Sequence, residues 1–155
     1  MSKNLTLSVS PHIHSGTSTS RIMGDVIIAL LPTFIAGCVI FGLRSLLVVA
    51  VCFASSVGFE ALFNLAAKKE QTVGDLSAAV TGLLLGLNLS ANVPIWQCVI
   101  GSVFAIVVVK GLFGGIGCNP VNPAVASRVF MLVAFGSMAQ YSYPTVVDTV
   151  SSATP

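Results

Sequence analysis

Most of this chain between Ile22 and Ala139 is five apolar runs, separated by short stretches of glycine, proline and charge. That pattern decides the solvent. A helix crossing a bilayer needs about 20 apolar residues, so 155 residues hold about five spans and little else. Charged residues make up only 8% of the sequence, against roughly 25% in an ordinary soluble domain. So few charges cannot cover a water-facing surface, and lipid is expected to be the main solvent. The net charge of +2 includes no basic patch interleaved with aromatics, so nucleic acid is not an expected partner.

The runs predict an all-α integral membrane protein with spans at 22–41, 46–66, 76–89, 95–113 and 124–139. Pro32 is expected to bend the first. The third is short and glycine-interrupted, and the loop at 114–123 stacks glycines and prolines that break helices. Irregular backbone survives in a membrane only against protein or a water-filled cavity, so these two places point to a ligand or ion site. Residues 1–22 form a polar segment lacking the basic start, apolar middle and cleavage site of a signal peptide. Residues 23–142 form the helix bundle, and 143–155 a polar tail rich in Ser and Thr.

Basic residues set orientation. With the amino terminus in the cytoplasm, the inner segments carry Lys3, Arg21, Lys68, Lys69 and Lys110, and the outer loops only Arg44. Five spans then place the tail outside the cytoplasm. Trp96, Tyr141 and Tyr143 fit the aromatic belt at the membrane surface.

Ionisable residues within spans are costly and mark cavities or partners. Glu60 lies about 9 Å from the cytoplasmic end of the second span at about 1.5 Å per residue. It is either an ion-path residue or a structural acid paired with Arg128 or a neighbouring subunit. Asp25, at the start of the first span, is either on the same path or placed to complement the helix N-terminus. His12 and His14 alternate on an extended polar segment and are read as surface or subunit-contact residues, because a metal site needs more ligands. Cys38, Cys52, Cys98 and Cys118 show no paired spacing; they are expected to be small buried side chains, with Cys118 apart in the glycine-rich loop.

Four stretches carry a resemblance that runs nearly end to end: 10–15 (SPHIHS), 18–32 (STSRIMGDVIIALLP), 75–84 (DLSAAVTGLL) and 119–124 (NPVNPA). On these the chain resembles the D subunits of Rnf-type electron-transport complexes and, more distantly, the NqrB subunits of sodium-pumping NADH:quinone reductases. The resemblance implies a redox-driven pump moving electrons between ferredoxin and NAD, coupled to Na+ or H+ transport across the bacterial cytoplasmic membrane. It implies other Rnf subunits (A, B, C, E, G) as partners, with the NAD site on one of them. It also implies a ten-helix bundle of two inverted five-helix halves, similar to urea transporters. This chain stops after five spans, and a fragment is the favoured expectation, since half of such a repeat would expose a polar interface to lipid.

Relatives of this kind carry FMN on a D-x-x-[ST]-x-A-T sequence. The tail here reads Asp148, Ser151, Ser152, Ala153, Thr154, with Ser152 standing where many relatives have Gly. The resemblance makes Thr154 the acceptor. A flavin transferase takes FAD, joins the FMN half through its phosphate to the threonine hydroxyl, and releases AMP. Ala153 leaves room for that enzyme, and Asp148 is expected to orient the motif in it. The outward placement from the charge count agrees independently. Arg128, Asn119 and Asn122 are candidate contacts to a flavin phosphate or ring edge, against structural pairing for the arginine and helix capping for the asparagines. Riboflavin is a candidate second, non-covalent cofactor.

The leading expectation is therefore a flavin-carrying subunit of an ion-translocating oxidoreductase. The alternatives are a flavin-free small-solute or ion channel of urea-transporter type, and a scaffold that only holds redox partners.

Overall fold

The computed structural model describes residues 17–68 and 72–136. His12, His14, Tyr141, Tyr143, Asp148, Ser151, Ser152, Ala153 and Thr154 lie outside the described residues. The described residues hold five helices and no strand.

Helix α1 (Thr19–Phe41) starts ahead of its apolar run because Ser18 caps it, its hydroxyl accepting the Arg21 N–H at 3.3 Å. It continues through Pro32. Gly42, at φ 76°, turns the chain directly into α2 (Leu43–Ala66), a reversal that favours a residue without Cβ. A 3₁₀ turn (Val73–Asp75) leads into α3 (Ser77–Asn88). Helix α4 (Ile95–Val103) runs on as a π-helix through Phe104–Gly111. Asn122 caps α5 (Pro123–Ala134), accepting the Ala124 N–H at 3.0 Å, with proline in the first turn, where its missing N–H costs nothing.

Of the five expected spans, α1 and α2 have the length of a full crossing, and α3 keeps to the short span expected at 76–89. Helices α1 and α2, of 23 and 24 residues, reach about 35 Å at about 1.5 Å per residue, and both are apolar enough to cross a membrane. Helices α3 and α5 have 12 residues each, about 18 Å, and α4 with its π extension is also short of that length. The shortening has local causes. Leu89 and Phe135 leave helical geometry for extended backbone, ending α3 and α5. A short helix tolerates this where protein surrounds it, and α3 is buried along most of its length. Helix α1 is the opposite case: none of its residues is buried, and Ile28, Ile35 and Val39 are largely exposed. Such an all-round apolar surface suits lipid or another subunit.

The helices alternate in direction, as their end contacts show. At one end Ser20 donates to the Gly74 carbonyl at 3.1 Å, joining the start of α1 to the turn before α3. There the ends of α2 and the π segment meet the start of α3 through Glu60, Lys110 and Ser77. At the other end Arg44 Nε donates to the Ala91 carbonyl at 2.9 Å, and Trp96 meets Phe135 edge-on at 5.3 Å.

Helix α2 is the axis, packing against α3, α4 and the π segment. Its buried residues recur every fourth position through Val48, Cys52, Ser56, Glu60 and Asn64, one stripe that grades from apolar to polar. Val48, Cys52, Leu85, Cys98, Ala124 and Met131 make the apolar core at the Val48 end of that stripe. Cys52 and Cys98 are buried as expected, Cys38 is half-buried, and Cys118 is exposed.

Candidate functional site

The polar end of the α2 stripe builds the candidate site. Glu60 is 3% exposed and Lys110 5%. The Lys110 ammonium donates to Glu60 Oε1 and, at 2.6 Å, to Ser77 Oγ. Thr72 Oγ1 donates to the same carboxylate oxygen at 2.8 Å and accepts from Asn64 Nδ2 at 3.0 Å. Three separate chain segments thus converge on one carboxylate: the end of α2, the turn before α3, and the π segment. Two buried side-chain atoms on the stripe, Ser56 Oγ and Glu60 Oε2, have no hydrogen-bond partner among the described residues. An unmet carboxylate oxygen inside a bundle is expensive, and the described residues satisfy only half of the Glu60 carboxylate.

Two cavities flank the pair. One of about 70 Å³ is lined by Glu60, Asn64, Thr72 and Lys110 together with glycines of the following loop. The other, of about 180 Å³, is lined by Ser77, Thr81, Lys110, Asn119 and Asn122. Lys110 lines both, so its side chain stands between them. The π segment sets its place: Leu112 and Gly115 bond back five residues, to the Val107 and Lys110 carbonyls. Wider turns of this kind often occur at functional positions.

The sequence-based candidates separate into three groups. Glu60 is in the network, but its partner is Lys110 and not Arg128. This also corrects the orientation count. Lys110 is buried in the bundle and cannot report on the membrane surface, so among the described residues Arg21 and Lys68 at one end remain to be counted against Arg44 at the other. Asp25 is exposed on α1 and lines neither cavity.

Asn119 and Asn122 share the second cavity. Asn122 uses its side-chain oxygen as the α5 cap. The Asn119 amide, oriented so that its nitrogen donates, reaches the Gly115 and Val109 carbonyls at 3.2 Å each. Arg128 lines a third cavity, of about 340 Å³, with Thr33, Ser45, Asn88 and Ser90. The three candidate flavin contacts therefore do not form one site. Of these three cavities among the described residues, the Arg128 cavity alone has a volume in the range of small-molecule sites.

Lys110, Thr72, Asn64 and Ser77 are the site residues that sequence reasoning missed. The sequence carries one signal for them, a lysine near the close of the apolar run FAIVVVKG at 104–111.

Comparison with known proteins identifies the family. The NQR2, RnfD, RnfE family pattern matches residues 6–155. The chain is 51% identical over 153 residues to the D subunit of the Na(+)-translocating ferredoxin:NAD(+) oxidoreductase complex of Acetobacterium woodii, covering 98% of this chain and 48% of that protein. It is 44% identical over 128 residues to the D subunit of the ion-translocating oxidoreductase complex of Marinobacter nauticus, covering 81% of this chain and 37% of the relative. The match to the Shewanella amazonensis protein of the same description is 41% over 128 residues, with the same coverage. The chain thus spans about half or less of the length of the curated relatives it matches. With a family match that takes in all five helices and the polar tail, this chain belongs to the NQR2, RnfD, RnfE family.

Proposed function

We propose that the chain is part of a flavin-carrying membrane subunit of an Rnf-type ferredoxin:NAD oxidoreductase, with FMN esterified to Thr154. One observation carries this reading: the family match runs through residue 155 and so includes the tail with Asp148, Ser151, Ser152, Ala153 and Thr154. A bound flavin supplies one- and two-electron transfer. The residues of this chain do the rest. The Thr154 hydroxyl oxygen anchors the phosphate, and Ala153 keeps the approach open for the transferase. A non-covalent flavin such as riboflavin finds more room beside Arg128 than beside Asn119 and Asn122.

The bundle contributes to Na+ or H+ movement through Glu60, whose buried and half-satisfied carboxylate is the natural stopping point for a cation. The five alternating helices suit one half of a ten-helix inverted repeat, and the 48% coverage of the Acetobacterium woodii relative agrees in length. The NAD site and the electron donors then belong to other Rnf subunits. In this reading the end bearing Arg21, Lys68 and Glu60 faces the cytoplasm and Thr154 lies on the opposite side of the inner membrane.

The test is direct. The chain is produced together with the flavin transferase, denatured in a gel and illuminated with ultraviolet light. Wild type is expected to fluoresce, Thr154→Ser to keep some of the signal, and Thr154→Val to lose all of it. A dark wild-type band beside an active transferase removes the covalent flavin. For the ion role, Glu60→Gln is expected to change the Na+ or H+ dependence of turnover in the reconstituted complex. Unchanged coupling takes Glu60 off the path.

A further inference from the structure

We propose that the Lys110 ammonium is a tethered counter-ion that holds Glu60 in place of a monovalent metal cation, and that a cation passing between the two cavities displaces it onto Ser77. The proposal rests on the reading of Glu60 as an ion-path residue and adds how that residue is kept closed.

Four observations carry it. Glu60 Oε1 takes both donors, Lys110 and Thr72, while Oε2 is buried with none among the described residues. A carboxylate has about four acceptor positions, so these residues leave coordinating capacity unused at a buried oxygen. The cavity beside it, about 70 Å³, has room for a few water-sized species and is lined by Glu60, Asn64 and Thr72, which bring oxygen atoms to it. Hard monovalent cations take oxygen ligands, as harder divalent ones do. Lys110 has a second acceptor, Ser77 Oγ at 2.6 Å, and so keeps a partner when it loses the first. Finally, Lys110 lines the larger cavity as well, whose other polar residues, Ser77, Thr81, Asn119 and Asn122, are uncharged. Displaced to that side, the ammonium meets neutral oxygens and no competing cation among the described residues. One positive group replaces another at the carboxylate, and the bundle carries one extra positive charge, on the displaced ammonium, until the cation leaves.

The experiment uses the assembled complex, purified and reconstituted in liposomes, with turnover measured against Na+ at constant ionic strength set by N-methylglucamine. Lys110→Arg keeps the charge but grips a carboxylate through paired hydrogen bonds. It is expected to raise the half-saturating Na+ concentration by about tenfold, a coupling of ordinary size. Lys110→Met is expected to melt at a lower temperature in N-methylglucamine and to recover as Na+ replaces it, because a cation bound only by the folded state stabilises by mass action. In Glu60→Gln/Lys110→Met that Na+ effect is expected to vanish. A Lys110→Arg complex with wild-type half-saturation overturns the proposal, as does a Lys110→Met complex whose melting ignores Na+. If Lys110→Met does not assemble, the arginine variant decides alone. Wild-type turnover that follows pH and not Na+ also overturns it, in favour of a proton at Glu60. The underlying reading fails separately: if Glu60→Gln leaves the Na+ dependence intact, Glu60 is off the path whatever Lys110 does.

Discussion

Lys110→Met in Na+-free buffer is expected to destabilise the folded protein by about 3–5 kcal/mol, and Glu60→Gln/Lys110→Met to recover most of that loss. The asymmetry comes from desolvation. Both groups are almost wholly buried. Removing one charge leaves the other with no counter-charge in a medium that solvates it poorly, the circumstance in which a broken buried pair costs about 3–5 kcal/mol. Removing both charges leaves an amide that can still accept from Thr72 and a methionine that fills the volume of the lysine stem. Replacing a whole buried pair is often nearly neutral. Ser77 makes the two single variants unequal. After Glu60→Gln the ammonium retains the Ser77 hydroxyl at 2.6 Å and gains an amide oxygen, so this variant is expected to lose less than Lys110→Met. Denaturation of the purified protein in mild detergent, followed by helical circular dichroism, gives the four corners of the cycle. If the two single losses add up to the double within about 0.5 kcal/mol, the charges are not coupled and Lys110 is not the group holding Glu60.

How much of this was legible in the sequence depends on the range of the interaction. The number and order of helices follow from local signals: apolar runs, the Arg44 turn, Pro94 and the Asn122-Pro123 cap. Those signals act within a few residues, and the structure begins and ends its helices close to them. Helix length was less legible. The short α3 keeps to the span expected at 76–89, but α5 stops at Ala134, and the apolar Phe135 does nothing in the sequence to announce that the backbone turns extended there. That Glu60 is buried and paired was readable, because few environments tolerate an acid within an apolar run. Its partner was not. Pairing Glu60 with Lys110 spans 50 residues and depends on the register of α4 against α2. The π segment at Phe104–Gly111 changes the helical period just ahead of Lys110, and no residue type in the run FAIVVVKG announces it. Arg128, the expected alternative partner, opens on a different cavity. The same limit applies to the flavin contacts: sequence proximity suggested Asn119, Asn122 and Arg128 as one group, and three-dimensional packing divides them.

Gly82→Val is expected to cost about 3 kcal/mol or more and to weaken ion coupling as well, whereas Gly58→Ala is expected to be neutral or to stabilise by about 0.5–1 kcal/mol. The difference is one of neighbours, since both glycines are helical. A Cβ on Gly82 would stand 2.7 Å from the Cys52 carbonyl oxygen and 2.9 Å from Phe53 Cα; one on Gly86, a turn later, would stand 2.7 Å from Val49 Cα. These are backbone atoms of α2 and cannot step aside. Glycines four residues apart on one face let two helices approach this closely in a membrane, where dispersion and backbone contacts replace the missing hydrophobic drive. Gly58 has nothing within 4 Å of its would-be Cβ, so alanine there brings only the gain in helix propensity. The functional part of the prediction follows from the stiffness of α3. Forcing α3 away from α2 at Gly82 carries Ser77, at the start of the same helix, away from Lys110 and opens the pair between the two cavities. Thermal melting of the three proteins in detergent, beside Na+-dependent turnover in liposomes, separates the two effects. A Gly82→Val protein that melts like wild type would mean that α3 is not held against α2 by this contact, and the positioning of Ser77 would then need another cause.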